Sequence, residues 1–413
     1  MVNNGYNRNY NRNYKSSNYN GRNRKRRNKK RIRNRIIIVS SMVLIFVLII
    51  ILLTLMFKSC FGKDEQTSAT IPTATIAPTT EASKSSSKAN TSGGILDNVS
   101  DITSTTEFLT PKPEDNNQSA SLDESLLIWN NAAFELFYGS EDSATSYANS
   151  INSYADSLGF SVKVYSMVVP NHTEMGLPER LKKGDGYSST SQAENIKTIY
   201  SKFNSNVTPI NCYNNLSKHC NEYIYFNTDH HWTGLGSYYA YEAFAKTTNQ
   251  SVLSLSDCTE EKIEGFTGSF TNMVNTDLGT DTVSYWEFPY KATMDMTSDS
   301  NKELDSYNSV YYEGETGGSN AYGVFIYGDN PLSVLKSDRN TGKKIAVVKE
   351  SYGNAFVPYL TYNYDEVHVI DFRHWTGNLP QYCSENGINE VLFINGVMSA
   401  NTPIQLRAMD SLF

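Results

Sequence analysis

IAVVKESYGNAFVPYL, from Ile345 to Leu360, runs from an apolar strand-like stretch through a turn at Ser351 into a helix-like stretch. A serine at such a turn shows its hydroxyl at the carboxyl end of a sheet strand. The backbone N–H groups that open the helix, Tyr352 among them, can cradle an oxyanion there. Gly353 is expected to permit the tight turn, and Asn354 is either a further donor or a turn residue. The competing reading makes Ser351 a helix cap, a common place for serine.

Upstream lies FNTDHHW, Phe226 to Trp232, in which Asp229 and His231 are two apart. In extended or tightly turned backbone such residues project to one side, so Asp229 can accept from one imidazole nitrogen and leave the other free. A serine hydroxyl needs an imidazole to take its proton, and the imidazole needs a carboxylate to fix its tautomer. Asp229, His231 and Ser351 supply one of each, although an Asp beside a His also occurs as a plain structural pair. Asp229, His230 and His231 could instead ligate zinc, with His172 or His374 assisting. Adjacent histidines point apart in extended backbone, which weighs against a shared ion.

The surrounding pattern is α/β. SVKVYSMVVP, Ser161 to Pro170, reads as a strand; SQAENIKTIYSKF, Ser191 to Phe203, and TGLGSYYAYEAFAKTT after the Asp-His pair read as helices. Such alternation favours a mostly parallel sheet. Residues 259–323, dense in Thr, Asp, Gly and Tyr, read as an insertion with β-hairpins.

The segments TDHHWTGLGSYYAYEAF, KESYGNAFVPYL, VIDFRHW and VLFINGV, in that order, closely resemble the bacterial DHHW proteins, relatives of the SGNH-hydrolase-like alginate O-acetyltransferases. The resemblance covers roughly residues 125 to 413. It implies a flavodoxin-like three-layer α/β domain and a triad carried over onto Asp229, His231 and Ser351, with His230 at the variable middle position. SGNH hydrolases place the serine first and the Asp and His last, so the motif order here implies a circular permutation. On that alignment Asn395 becomes a second oxyanion donor, and Arg373 replaces a backbone donor or binds an anionic group. Either could equally be structural: a strand-end Asn bonding its own loop, or an ordinary ion pair. Trp232 and Trp375 could flank a carbohydrate cleft or support the catalytic loop by packing.

The first 35 residues carry 13 Lys or Arg and no acid, a disordered basic tail. Ile36 to Phe57 follow as 22 uncharged, mostly apolar residues, long enough to span a bilayer. The charge asymmetry keeps the tail in the cytoplasm, against anionic lipid, and the remaining chain outside. Residues 58–122 read as a Ser/Thr/Pro-rich linker; as a flexible coil it would span about 40 Å, reaching toward wall polymers. The domain at 123–413 completes the chain. Setting the tail aside leaves 23 basic residues against 43 acidic ones, which argues against nucleic acid as a partner. Cys212, Cys220, Cys258 and Cys383 leave disulfide pairing open, and no CxxC metal motif is present.

These readings converge on a single-pass, surface-facing O-acyltransferase, with acetyl transfer to an envelope polysaccharide or wall polymer expected. The alternatives are a carbohydrate acylesterase and a non-catalytic glycan-binding protein. The resemblance implies a membrane-bound O-acyltransferase partner. No organic cofactor or metal is required.

Overall fold

The computed structural model describes residues 103–300, 302–312, 314 and 317–413. The basic tail, the expected membrane span and most of the expected linker lie outside the described residues. Among the described residues no helix is long and apolar enough to cross a membrane.

Helix α1, Glu141–Leu158, starts where the Ser140 hydroxyl accepts from the N–H of Ser143, 3.1 Å away. Ala144, Tyr147, Ala148, Ile151, Tyr154, Ala155 and Leu158 form its buried stripe, and Gly159 at φ 74° ends it. Strand β1, Lys163–Val169, is followed by α2, Gln192–Ser201, β2, Val207–Pro209, and α3, Gly234–Thr247. Then come β3, Ala292–Thr297, β4, Asp305–Tyr307, and β5, Leu332–Ser337. The chain closes with β6, Lys344–Lys349, α4, Tyr352–Leu360, β7, Glu366–Asp371, α5, Leu379–Asn386, β8, Glu390–Gly396, and α6, Pro403–Asp410.

These eight strands form one sheet in the order β4-β3-β5-β7-β6-β8-β1-β2. The five from β7 to β2 are parallel, as the strand–helix alternation predicts; β5, β3 and β4 extend the sheet antiparallel. The mixed α/β fold on a central sheet is the expected class. Leaving β6, the chain passes through α4 to β7 on one side; leaving β7, it passes through α5 and crosses back to β8. Right-handed crossovers in opposite directions put α4 and α5 on opposite faces, so the core strands are covered on both sides. All of β8 and nearly all of β6 are buried accordingly. The order reverses between β6 and β8, which opens a crevice at the carboxyl ends of the strands.

Residues 259–323 do contain a hairpin, Thr259–Phe266 with Asp281–Glu287. The remainder is more than an insertion, because β3 and β4 join the main sheet. The end of the expected linker also differs from a free coil. The N–H of Leu109 donates to Asn214 Oδ1 (2.8 Å), that of Glu114 to Asn221 Oδ1 (2.7 Å), and Phe108 packs 5.0 Å from the Tyr213 ring. An apolar ring with a groove to fill holds this polar stretch on the domain. The cysteines at 212, 220, 258 and 383 are all free thiols.

Candidate active site

The Asp-His segment folds as a tight loop before α3. The N–H of Phe226 donates to the carbonyl of His231 (3.2 Å), that of Thr233 to Ile224 (3.0 Å), and the Thr233 hydroxyl caps α3 by accepting from Gly236 N–H (3.2 Å). Within the loop Asp229 Oδ1 accepts from the N–H of His231 (3.0 Å) and lies 2.6 Å from its Nδ1. The other imidazole nitrogen, Nε2, is 2.8 Å from Ser351 Oγ. Three residues drawn from two segments, 120 positions apart in the case of His231 and Ser351, thus meet in one hydrogen-bonded line.

Burial pushes the Asp229 carboxyl up, yet the His231 hydrogen bond, the charges of His231 and His230, and the Ser269 N–H hold it well below the usual carboxylate range. It is therefore a fixed anion behind His231. His230 is pulled down to about 3, by burial first and then by His231 beside it. Its Nδ1 lies 2.9 Å from Ser269 Oγ. The ligand atoms of Asp229, His230 and His231 fall within 4.8 Å of one another. The bonds to Asp229 and Ser351 engage both ring nitrogens of His231, and the bond to Ser269 engages Nδ1 of His230, so this set fits proton transfer better than coordination.

Ser351 takes up helical backbone and its side chain makes no cap bond, so the capping role is not realised. Besides His231, its hydroxyl meets Glu350 Oε2 at 3.2 Å. Glu350 is the part of the site that the sequence reading missed. Its Oε2 also accepts from Tyr352 N–H (3.1 Å), and its Oε1 accepts from Gly396 N–H (2.8 Å), tying the Ser351 turn across the crevice to the end of β8. The Tyr352 amide, expected to face an oxyanion, is thereby occupied. Tyr322 was missed as well: its ring stacks on His231 at 4.1 Å and 10°, and its hydroxyl donates to the Ser351 carbonyl (3.1 Å). Neither carries a local signal, although an acid immediately before a candidate nucleophile in an apolar strand is a hint.

Four of the remaining expected positions find different places. Asn395 is buried with its Oδ1 accepting from Tyr147 OH (2.9 Å) and lines neither cavity beside Ser351, so it is not positioned as an oxyanion donor. Trp232 is fully buried, its Nε1 donating to the Tyr352 carbonyl (3.0 Å), and supports the loop rather than a sugar; Trp375 is buried against Tyr382. Gly353 lies inside α4 and not in a left-handed turn. A Cβ there would come 2.6 Å from Lys349 Cβ, so its smallness lets the lysine pass. Asn354 does border the site, donating to Asp329 Oδ1 (2.9 Å), with its own Oδ1 buried and unpartnered.

Arg373 also borders the site. Its Nε and Nη2 bond the two oxygens of Asp371 (2.9 and 2.6 Å), and Nη2 reaches Asp329 (2.9 Å). Burial lowers the guanidinium's affinity for its proton, but the Asp371 and Asp329 partners outweigh this and raise it. Lys349, fully buried, bridges the same two carboxylates at 2.8 and 3.3 Å. Two cations and two anions thus form a closed set that fixes Arg373. A cavity of about 780 Å³ opens over this assembly, lined by Asp229, His231, Tyr322, Ser351, Asn354 and Arg373.

An α/β fold with an Asp-x-His loop aimed at a serine on a strand-to-helix turn defines a DHHW protein. The DHHW protein family model matches residues 74–370, and the chain belongs to that family. A solved DHHW family protein from Eubacterium siraeum is 30% identical, with a TM-score of 0.65 over 72% of this chain and 98% of that one. Bacillus cereus PatB1 is similar in fold, at 20% identity and a TM-score of 0.57 over 70% of this chain and 99% of its own. PatB1 carrying a sulfonyl adduct gives 19%, 0.56, 68% and 96%. No curated protein matches the chain.

Proposed function

We propose that this protein is a serine-dependent O-acyltransferase that moves an acyl group, acetyl in the simplest case, onto an envelope glycan or wall polymer. The observation that carries the reading is the continuous line from Asp229 Oδ1 through His231 to Ser351 Oγ, 2.6 and 2.8 Å, at the floor of an open cavity. Ser351 Oγ bonds to the acyl carbon as its proton passes to His231 Nε2. The donor's leaving oxygen departs with that proton. A sugar hydroxyl then attacks the acyl-serine, yields its proton to His231, and the Ser351 Oγ–carbon bond breaks as the proton returns to Ser351. Asp229 keeps the Nδ1–H tautomer and balances the imidazolium. With the Tyr352 N–H occupied by Glu350, the developing oxyanion falls to the held guanidinium of Arg373 and to the second N–H of the Asn354 side-chain amide, the first being given to Asp329.

In the same reading the sequence order, with the Asp-His loop ahead of β6, is that of a circularly permuted SGNH arrangement. The basic tail and apolar run anchor the protein by one span with the domain outside, and a membrane-bound O-acyltransferase supplies the acyl group. The same triad serves an acylesterase when water replaces the sugar hydroxyl.

Mass spectrometry of the whole chain after exposure to p-nitrophenyl acetate tests the nucleophile. An acetyl adduct or ester turnover that vanishes in Ser351→Ala is expected. Neither adduct nor turnover in the wild type would favour a glycan-binding module in place of an enzyme.

A further inference from the structure

Ser351 borders a second cavity of about 380 Å³, on which His230 and Arg373 also open. This volume suits a small ligand. Its walls come from the segments that follow β1, β6, β7 and β8, so it occupies the crevice at the strand ends. Two of its polar groups lack partners. The Glu135 carboxylate, on the rim strand Ala132–Glu135, makes no hydrogen bond or ion pair among the described residues, and Gln405 Oε1 is buried without a donor. Both are acceptors. An acceptor buried unpaired is costly, and for Gln405 Oε1 a donating ligand removes that cost; the half-buried Glu135 carboxylate offers the same ligand a second acceptor. Phe270 and Met398 supply an apolar floor beside the hydroxyls of Ser399 and Thr402.

We propose that this cavity is the acceptor subsite of a two-sided centre: it takes one ring of a glycan, whose hydroxyl or amino groups donate to Glu135 and Gln405 while the larger cavity serves the acyl donor. The inference rests on the transferase reading given above. A sugar has the required complement, many donors around an apolar C–H face. Its approach from the Glu135 side brings a hydroxyl to Ser351 without displacing a group held over Asp229 and Tyr322.

The test is calorimetric binding of pentasaccharides built on glucose, N-acetylglucosamine and unsubstituted glucosamine to the whole Ser351→Ala chain. Glu135→Gln and Gln405→Met are then placed in that background, with thermal melts to show that each is folded. Saturable binding of at least one sugar, weakened tenfold or more by Glu135→Gln and also by Gln405→Met, is expected. No binding of any of the three, or binding that both variants leave within twofold, overturns the subsite. Failure of the enzyme reading is seen separately, as absence of p-nitrophenol release by the wild type.

Discussion

Replacing Asp229 by Asn is the most searching perturbation of the proposed triad. Asp229 accepts three bonds: Oδ1 takes the N–H and Nδ1–H of His231, and Oδ2 takes the N–H of Ser269 at 2.7 Å. An amide has one acceptor oxygen. If it faces His231, the NH₂ meets the Ser269 N–H and the loop loses an anchor. If it faces Ser269, the NH₂ meets Nδ1, the tautomer flips, and Nε2 carries a hydrogen toward Ser351 with no lone pair to take a proton. Even in the first case the imidazolium loses its counter-charge. With charge centres about 3.5 Å apart and an effective dielectric constant near 20, that interaction is about 5 kcal/mol. The expected fall in acyl transfer is therefore roughly three to four powers of ten. Initial rates of p-nitrophenol release from p-nitrophenyl acetate, with acyl-serine followed by mass spectrometry, measure it. A folded Asp229→Asn chain working within tenfold of wild type would refute the triad.

Gly268→Ala should disturb the same loop from outside, because its Cβ would lie 2.3 Å from Asp229 Cβ and 2.4 Å from the Thr228 carbonyl. A loss of about 1–3 kcal/mol in urea unfolding is expected, together with slower ester turnover; no change in either would show that the loop yields freely. Lys349→Met leaves Arg373 as the one cation among the described residues bonded to Asp371 and Asp329, so a loss of about 3–5 kcal/mol is expected, and one under about 1 kcal/mol would mean that the arginine suffices. Acid should weaken the fold from near pH 6.5 downward. Burial holds His172 down to about 4, so below 6.5 the unfolded chain binds a proton that the folded chain refuses until pH 4. Urea midpoints between pH 7 and 4 should fall with a slope that His172→Gln makes shallower, and an unchanged slope would assign the loss elsewhere.

What could be read from the chain was what proximity in sequence encodes. Asp229 and His231 share a loop, and Ser351 follows an unbroken apolar strand, so their types and spacing suggested that the three side chains would meet, as they do. Helix α1 was not anticipated, since its Ser, Asn and Tyr content masks a stripe whose aliphatic members are mostly small: Ala144, Ala148 and Ala155 beside Ile151 and Leu158. Tyr322 and Ser269 sit in short 3-10 helices, Gly318–Val324 and Ser269–Asn272, within Gly-containing connections whose paths depend on the finished sheet, and no periodicity points them at His231. Asn395 and Trp232 were legible as notable residues but not as directions. Whether a side chain at a strand end turns to the crevice or to the core is settled by packing, here by Tyr147 for one and by the backbone of Tyr352 for the other.

Asp281 lies in the hairpin strand beyond the main sheet, and its buried carboxylate accepts from Tyr223 OH (2.5 Å), Asn227 N–H (3.1 Å) and both the N–H and hydroxyl of Thr228 (2.7 Å each). The shape of the Asp229 loop is consequently written in two distant parts of the gene. A graft of the DHHW segment onto another scaffold would arrive without its mould, and trimming the hairpin to make a smaller protein would release the loop even though every residue of the proposed triad remained in the chain. Recombination between family members should therefore tolerate crossovers that keep 223–231 and 268–281 from the same parent, and reject those that separate them.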